Sequence, residues 1–163
     1  MRVFHRRIKV LHRPVSPLLT WNAIRTLDLA GKEAADHRHA HIAPEHLLLA
    51  LTRFESGMAV KALDELGISP QTTLSEVERH IEPGSSAPAG EIPLSPRTER
   101  VLRLSHHEAT LLGKCHVGTE HLLLGILAEG ESIAARILTM MGADLSATRR
   151  GVIRVLLREA HEA

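Results

Sequence analysis

Apolar residues in the second half of the chain recur with the three- to four-residue spacing of amphipathic helices. Val101, Leu102 and Leu104 open one such stripe, and Ala109 and Leu112 continue it. Residues that commonly start or stop helices punctuate the pattern. Helix starts are predicted at Ser95-Pro96, Thr119, Ser132 and near Leu145, and helix stops at Gly113 and Gly142. This half of the chain therefore predicts four consecutive helices.

The same pattern occurs once more upstream. HIAPEHLLLAL begins at position 41 and HVGTEHLLLGI begins 75 residues later, with six of the eleven positions identical. The offset also aligns Arg25 with Arg100 and Val77 with Val152, so the match runs without a gap over more than 50 residues. A match of this length indicates duplication of a whole structural unit. In the first copy, helix boundaries are predicted at Thr20, Pro44, Gly57, Gly67 and Ser69-Pro70.

These observations predict an all-α fold, an eight-helix bundle made of two four-helix repeats related by a pseudo-twofold axis. The first repeat is assigned to residues 18–82 and the second to 94–160. Residues 83–93, PGSSAPAGEIP, are rich in proline, glycine and serine and are predicted to be a linker. Residues 1–17 carry basic side chains and no acidic one. They are interpreted as a flexible tail, with a basic arm that contacts nucleic acid or anionic lipid, or a segment packed on the domain, as alternatives.

Composition narrows the class of protein. Hydrophobic residues make up 44% of the chain and aromatic residues only 2%, so the core is predicted to be aliphatic. A net charge of +1 gives no overall field that would favour nucleic acid. The single cysteine, Cys115, excludes an internal disulfide and suits a reducing compartment. No apolar run reaches the roughly 20 residues that span a bilayer, so we predict a cytoplasmic protein without a membrane partner.

No arrangement of residues indicates catalysis, a cofactor or a metal. Gly31-Lys32 is followed by Glu33 without a glycine-rich approach, so no phosphate-binding loop is present. Neither of the two Glu-His pairs is followed by the second histidine of an HExxH zinc motif. Cys115 lies next to His116, but nothing around the pair resembles the setting of a catalytic nucleophile. The chain is therefore predicted not to be an enzyme.

The twelve histidines need a separate interpretation. His37, His39 and His41 alternate in DHRHAH, which we interpret as a solvated turn between helices, with a zinc site as the alternative. His46 and His121 each follow a glutamate near a predicted helix start. These two are interpreted as structural histidines that hydrogen-bond the preceding loop or cap their neighbour.

The repeated blocks PEHLLLAL and TEHLLLGI resemble the signature of the Clp N-terminal domain, which precedes the AAA+ rings of Hsp100 unfoldases. The stretches IPLSPRTERVLRLSHHEA at 92–109, AEGESIAARIL at 128–138 and MGADLSATRRGVIRVL at 141–156 are similar to the ClpC branch. The resemblance covers residues 18–158. It implies a pseudo-twofold bundle of eight helices that docks protein substrates or adaptors of a Clp unfoldase, with a ClpC-type ATPase as a further partner.

ClpC-type domains are associated with recognition of phosphoarginine, and the resemblance implies the same ligand for this chain. The glutamate of each block would hold the guanidinium and the helix start would hold the phosphate. In the second repeat, Gly118, Thr119 and Glu120 match the family motif in full. In the first repeat, Glu45 follows Ala43 and Pro44, and Pro44 offers neither an N–H nor a hydroxyl. We therefore predict a competent site at Glu120 and a weakened one at Glu45, with stabilisation of the helix dipole as the alternative role of both glutamates.

Two departures from the family limit what the resemblance implies. The AAA+ modules are missing from this sequence, and Leu18-Leu19-Thr20-Trp21 replaces the family's N-terminal aromatic segment. The leading hypothesis is a non-catalytic adaptor, decoy or regulator in Clp-dependent proteolysis. The alternatives are a nucleic-acid or membrane-surface protein that uses its basic arm, and a purely structural oligomerisation domain.

Overall fold

The computed structural model describes residues 18–163, so the interpretations of residues 1–17 concern a segment outside the described part of the chain. Eight helices and no strand lie within this part. The helices are α1 (Trp21–Asp36), α2 (Pro44–Arg53), α3 (Met58–Glu65), α4 (Pro70–His80), α5 (Pro96–Leu111), α6 (Thr119–Glu129), α7 (Ile133–Met140) and α8 (Leu145–Glu162). The predicted all-α class and the count of four helices in each repeat are confirmed.

Local capping chemistry sets most of the helix starts. Ser95 caps α5 as predicted, because its hydroxyl accepts the N–H of Thr98 at 3.1 Å and Pro96 occupies the first helical position. Five of the eight N-caps are serine, threonine or aspartate residues whose side chains accept such a bond: Thr20, Ser69, Ser95, Ser132 and Asp144. The prediction that Thr119 caps α6 is wrong, since Gly118 is the N-cap and Thr119 is the first helical residue.

The pseudo-twofold relation is visible in two short main-chain bridges. Leu19 in the first repeat pairs with Val117 in the second, and Leu94 in the second pairs with Ile42 in the first. Leu94 and Val117 lie 75 residues after Leu19 and Ile42, so each bridge is the symmetry counterpart of the other. The start of α1 therefore lies beside the start of α6, and the start of α5 lies beside the start of α2.

The core lies where the leucine-rich helices α2 and α6 meet. Each is the partner of the long helix before it, since α1 packs on α2 and α5 on α6. The other four helices pack across the repeats, α3 against α8 and α4 against α7. The fully buried leucines and isoleucines are Ile42, Leu47, Leu48, Leu49, Leu51, Leu63, Leu122, Leu123, Leu124, Ile126 and Leu138. Because helices of each repeat pack against helices of the other, the two repeats share one aliphatic core.

The segment predicted as a linker carries no helix, and both of its ends bond the turn that joins α1 to α2. The N–H of Gly84 donates to the carbonyl of His37 at 2.7 Å, and the N–H of Ile42 donates to that of Pro93 at 2.8 Å. The repeat boundaries that we assigned on each side of it stay predictions. None of the helices in residues 18–163 has the length and apolar character to cross a bilayer.

Candidate functional site

The start of α6 is built from the second Glu-His block. Gly118 is the N-cap, and its N–H donates to Nδ1 of His121 at 2.9 Å. Burial lowers the pKa of His121 to about 4, so the ring is neutral. Since Nδ1 accepts a hydrogen bond, the proton of the neutral ring lies on Nε2. That buried Nε2–H has no hydrogen-bond partner among the described residues. Nδ1 of His121 thus makes the predicted hydrogen bond to the loop before the helix, whereas Nε2 makes none among the described residues.

The Glu120 carboxylate folds back over this helix start. A Cβ built on Gly118 would lie 2.5 and 2.8 Å from its two oxygens, so only glycine leaves room for it there. Glu120 is 8% exposed. Burial raises the pKa of Glu120, while its own backbone N–H and the charge of Lys114 act in the opposite direction.

The partners of the Glu120 carboxylate are few. Nδ1 of the neutral His121 ring lies 3.6 Å from one of its oxygens, and no lysine or arginine forms an ion pair with it in the part of the chain that the structure describes. A buried carboxylate normally has a cationic partner, because desolvating an unpaired charge is costly. The start of α6 therefore presents a carboxylate whose negative charge is poorly compensated.

Thr119 faces the first repeat. Its hydroxyl accepts the N–H of Ala59 at 3.2 Å, near the start of α3. The N-cap of α3 is Gly57, which has no side chain with which to cap its own helix. Thr119 is 2% exposed, so its side chain completes a helix cap across the two repeats. Its predicted contact with a ligand stays a prediction.

The Glu45 half-site, at the start of α2, differs from the Glu120 half-site. One oxygen of Glu45 accepts the N–H of Ile133, the first residue of α7, at 3.1 Å. Ala43 is the N-cap of α2 and Pro44 its first residue, and the N–H of Ala43 donates to the ring of His46 at 2.9 Å. The carboxylate of Glu45 thus supports a neighbouring helix, which is a second reason, besides Pro44, to expect a weaker ligand site.

An open cavity of about 550 Å³ lies beside Glu45. Residues at the start of α5 and the end of α6 form its far wall, among them Pro96, Arg97, Arg100 and Glu129. Arg97 pairs with Glu129, which is buried; although burial alone raises the pKa of Glu129, bonds from Ser132 and Arg97 lower it overall. The sequence analysis did not predict this wall, because it compared equivalent residues of the two repeats and did not ask which helices of different repeats are neighbours. The signal was the twofold relation itself, which brings α5 next to α2.

In the turn that we predicted to be solvated, both ring nitrogens of His39 are hydrogen-bonded, whereas His41 is exposed. Nδ1 of His39 lies 2.7 Å from Nε2 of His46, and Nε2 of His39 lies 2.7 Å from the carbonyl oxygen of Glu82. The N–H of Ala43 occupies Nδ1 of His46, so His46 donates to His39 and His39 donates to Glu82. Burial, followed by the charges of His39 and His37, lowers the pKa of His46 to about 4. This chain of bonds ties the end of α4 to the start of α2.

No three histidine, cysteine, aspartate or glutamate side chains are grouped to hold a metal ion within residues 18–163. Cys115 is exposed. The arrangement at the α6 start provides hydrogen-bond donors and one poorly compensated carboxylate, which is chemistry suited to holding a charged group on a partner.

The chain is similar in sequence to two chloroplastic proteins that are named as chaperones. It is 42% identical over 151 residues, 93% of its length, to chaperone protein ClpC2, chloroplastic, of Oryza sativa subsp. japonica. It is 45% identical over 137 residues, 84% of its length, to chaperone protein ClpC1, chloroplastic, of Arabidopsis thaliana. The chain spans 16% of the length of the first of these relatives and 15% of the second.

Solved structures share the fold. The N-terminal domain of ClpD from Arabidopsis thaliana superposes with a TM-score of 0.69 at 21% identity, covering 90% of this chain and 99% of that one. The N-domain of ClpV from Vibrio cholerae superposes with a TM-score of 0.75 at 13% identity, covering 94% and 95%. The family model of the Clp repeat (R) N-terminal domain matches residues 18–141 and 117–162. The chain therefore belongs to the Clp repeat N-terminal domain family.

Proposed function

We propose that this chain is a non-catalytic protein-binding module that docks substrates or adaptors of a Clp-type unfoldase. Family membership supports this role, and one solved structure with the same fold is a complex of the ClpV N-domain with a VipB peptide. The module would act as an adaptor, decoy or regulator in Clp-dependent proteolysis. Several relatives are named as chloroplastic proteins, so a cytoplasmic location stays a prediction.

The proposed ligand group is phosphoarginine, bound at the start of α6. The observation that carries the proposal is the Glu120 carboxylate, which is 8% exposed and has no lysine or arginine ion pair among the described residues. A guanidinium group would supply the missing charge through paired hydrogen bonds. The phosphate of the same ligand suits the N–H groups at the helix start, once the carboxylate turns away from Gly118 toward the guanidinium.

The two half-sites are expected to differ in affinity. Glu45 already accepts the N–H of Ile133, so a ligand there would have to compete with the cap of α7. Pro44 also withholds the N–H that Thr119 carries at the equivalent position. We therefore assign the main ligand contact to Glu120.

Isothermal titration calorimetry with free phosphoarginine tests this assignment, with free arginine as the comparator. Glu120→Gln keeps the shape of the side chain and removes its charge, and we expect it to weaken binding by about tenfold or more, since a charge-assisted bond is worth about 1.5–3 kcal/mol. Glu45→Gln is the matched control and should change the affinity by less than about threefold. Equal affinity of wild type and Glu120→Gln, with both folded by circular dichroism, would remove the Glu120 site.

A further inference from the structure

Trp21 is an unusual surface residue. It is the only tryptophan of the chain, it opens α1, and it is 66% exposed. The guanidinium carbon of Arg25 lies 4.6 Å from the centre of its ring, a cation–π arrangement. A tryptophan that lies mostly in water gains little burial energy, and its amphipathic ring is available for contact with a partner.

The pseudo-twofold relation places Trp21 at the rim of the Glu120 half-site. Its counterpart 75 residues on is Pro96, which lines the cavity beside Glu45 in the other half-site. Arg100, the counterpart of Arg25, lines the same cavity. The residues equivalent to this wall at the Glu120 half-site are therefore Trp21 and Arg25.

Main-chain contacts give the same placement independently. The N–H of Thr20 donates to the carbonyl of Val117 at 2.9 Å, and the N–H of Val117 donates to that of Leu18 at 2.6 Å. Trp21 directly follows this paired segment, and Gly118 directly follows Val117. The indole and the start of α6 thus emerge side by side from one bridge.

We propose that Trp21 forms a wall of the Glu120 site and stacks on the guanidinium group of an arginine or phosphoarginine side chain of a partner protein. This inference rests on the proposed function. Arg25 shows that the indole accepts a guanidinium at stacking distance. Glu120 supplies the opposite charge, and the buried, unpartnered Nε2–H of His121 leaves a further polar group unsatisfied at the same helix start.

The corresponding wall of the first half-site has no aromatic residue among those that the structure describes. Proline stands where Trp21 does, and Arg97 pairs with the carboxylates of Glu129 and Glu131. A proline ring has no π-face on which a cation can stack. Stacking recognition of a guanidinium is therefore confined to the Glu120 half-site, and Pro96→Ala provides a matched control.

The single tryptophan makes a direct experiment possible. Titration of the whole chain with phosphoarginine, and separately with arginine, is followed by tryptophan fluorescence and by calorimetry in parallel. We expect the fluorescence of the wild-type chain to change with the same midpoint as the calorimetric signal. In Glu120→Gln, both midpoints should move to ligand concentrations that are about tenfold higher or more. Trp21→Ala should weaken calorimetric affinity about fivefold, Trp21→Phe should restore part of it, and Pro96→Ala should leave it unchanged.

The outcomes separate this inference from the proposed function. Calorimetric binding that depends on Glu120, with no fluorescence change and no effect of Trp21→Ala, would overturn the role of Trp21 and leave the ligand assignment intact. Absence of calorimetric binding to the wild-type chain would overturn both. A loss of affinity in Trp21→Ala equal to that in Pro96→Ala would also count against stacking.

Discussion

Gly125, in the middle of α6, marks a close approach of α6 to α5. A Cβ added there would lie 2.6 Å from the carbonyl oxygen of Val101 and 3.0 Å from the backbone nitrogen of Ser105, and it would also overlap the Ser105 hydroxyl. The hydroxyl can rotate away, but the main chain cannot. The first repeat has Ala50 at this position, opposite Ala30 rather than a serine. The close crossing is thus specific to the second repeat.

Two effects of Gly125→Ala have opposite signs. Alanine is favoured over glycine inside a helix by about 1 kcal/mol, so helix propensity alone predicts stabilisation. Overpacking a buried contact typically costs about 1–3 kcal/mol and occasionally more, and here the overlap is with main-chain atoms that can yield only if the helices separate. We expect the second effect to prevail and the free energy of unfolding to fall by about 2 kcal/mol.

Urea unfolding followed by circular dichroism measures this change in free energy. In thermal unfolding, the Tm should fall by roughly 4–8 °C. Adding Ser105→Ala removes the movable hydroxyl and should rescue little, because the main-chain overlap remains. Gly151→Ala in α8 is the control with a milder contact, since its Cβ would lie 3.3 Å from its nearest neighbour, the carbonyl oxygen of Ala62. A rise in stability of about 1 kcal/mol for Gly125→Ala would refute the close crossing of α5 and α6.

Three further perturbations test other parts of the structure. The folded protein lowers the pKa values of His46 and His121 from 6.5 to about 4. Between these two pH values the unfolded chain therefore binds more protons than the folded one. The free energy of unfolding should accordingly fall, as the pH drops from 6.5 toward 4, by about 1.4 kcal/mol per pH unit for each ring. Replacing either ring by glutamine should flatten the pH dependence of urea unfolding, and an unchanged slope would contradict this. Arg149 makes bonds of 2.6 and 2.8 Å to the buried carboxylate of Glu108, so Arg149→Met should lower the free energy of unfolding by about 2–3 kcal/mol, and a loss below about 0.5 would show that the pair contributes little. Thr119→Val should cost about 1 kcal/mol and increase amide exchange at the start of α3, whereas unchanged exchange there would contradict the shared cap.

Helix positions were largely predictable because the signals that set them are local. Ser95 followed by Pro96, and Ser69 followed by Pro70, carry the start of a helix within two residues. Gly142, with φ of +97°, ends a helix in a conformation that L-residues rarely adopt. The pseudo-twofold fold was predictable for a different reason, since a gapless duplication repeats the same order of helices.

The site was less predictable because its contacts cross between the repeats. Thr119 was expected to cap its own helix, but its hydroxyl caps α3 of the other repeat. The buried glutamates Glu33 and Glu108 are equivalent in sequence, yet Glu33 pairs with Arg53 at the end of α2 and Glu108 with Arg149 in α8. These arginines occupy non-equivalent positions, so neither pairing follows from the repeat. Only the packing of helices selects such partners.

The first helical residue of each Glu-His block explains why the two carboxylates differ. In the second repeat, Thr119 has a hydroxyl that serves the start of α3, so the Glu120 carboxylate is not required there. In the first repeat, Pro44 has no hydroxyl, and the equivalent task at α7 involves Glu45 through the N–H of Ile133. A ligand that needs a carboxylate therefore finds the second one uncommitted.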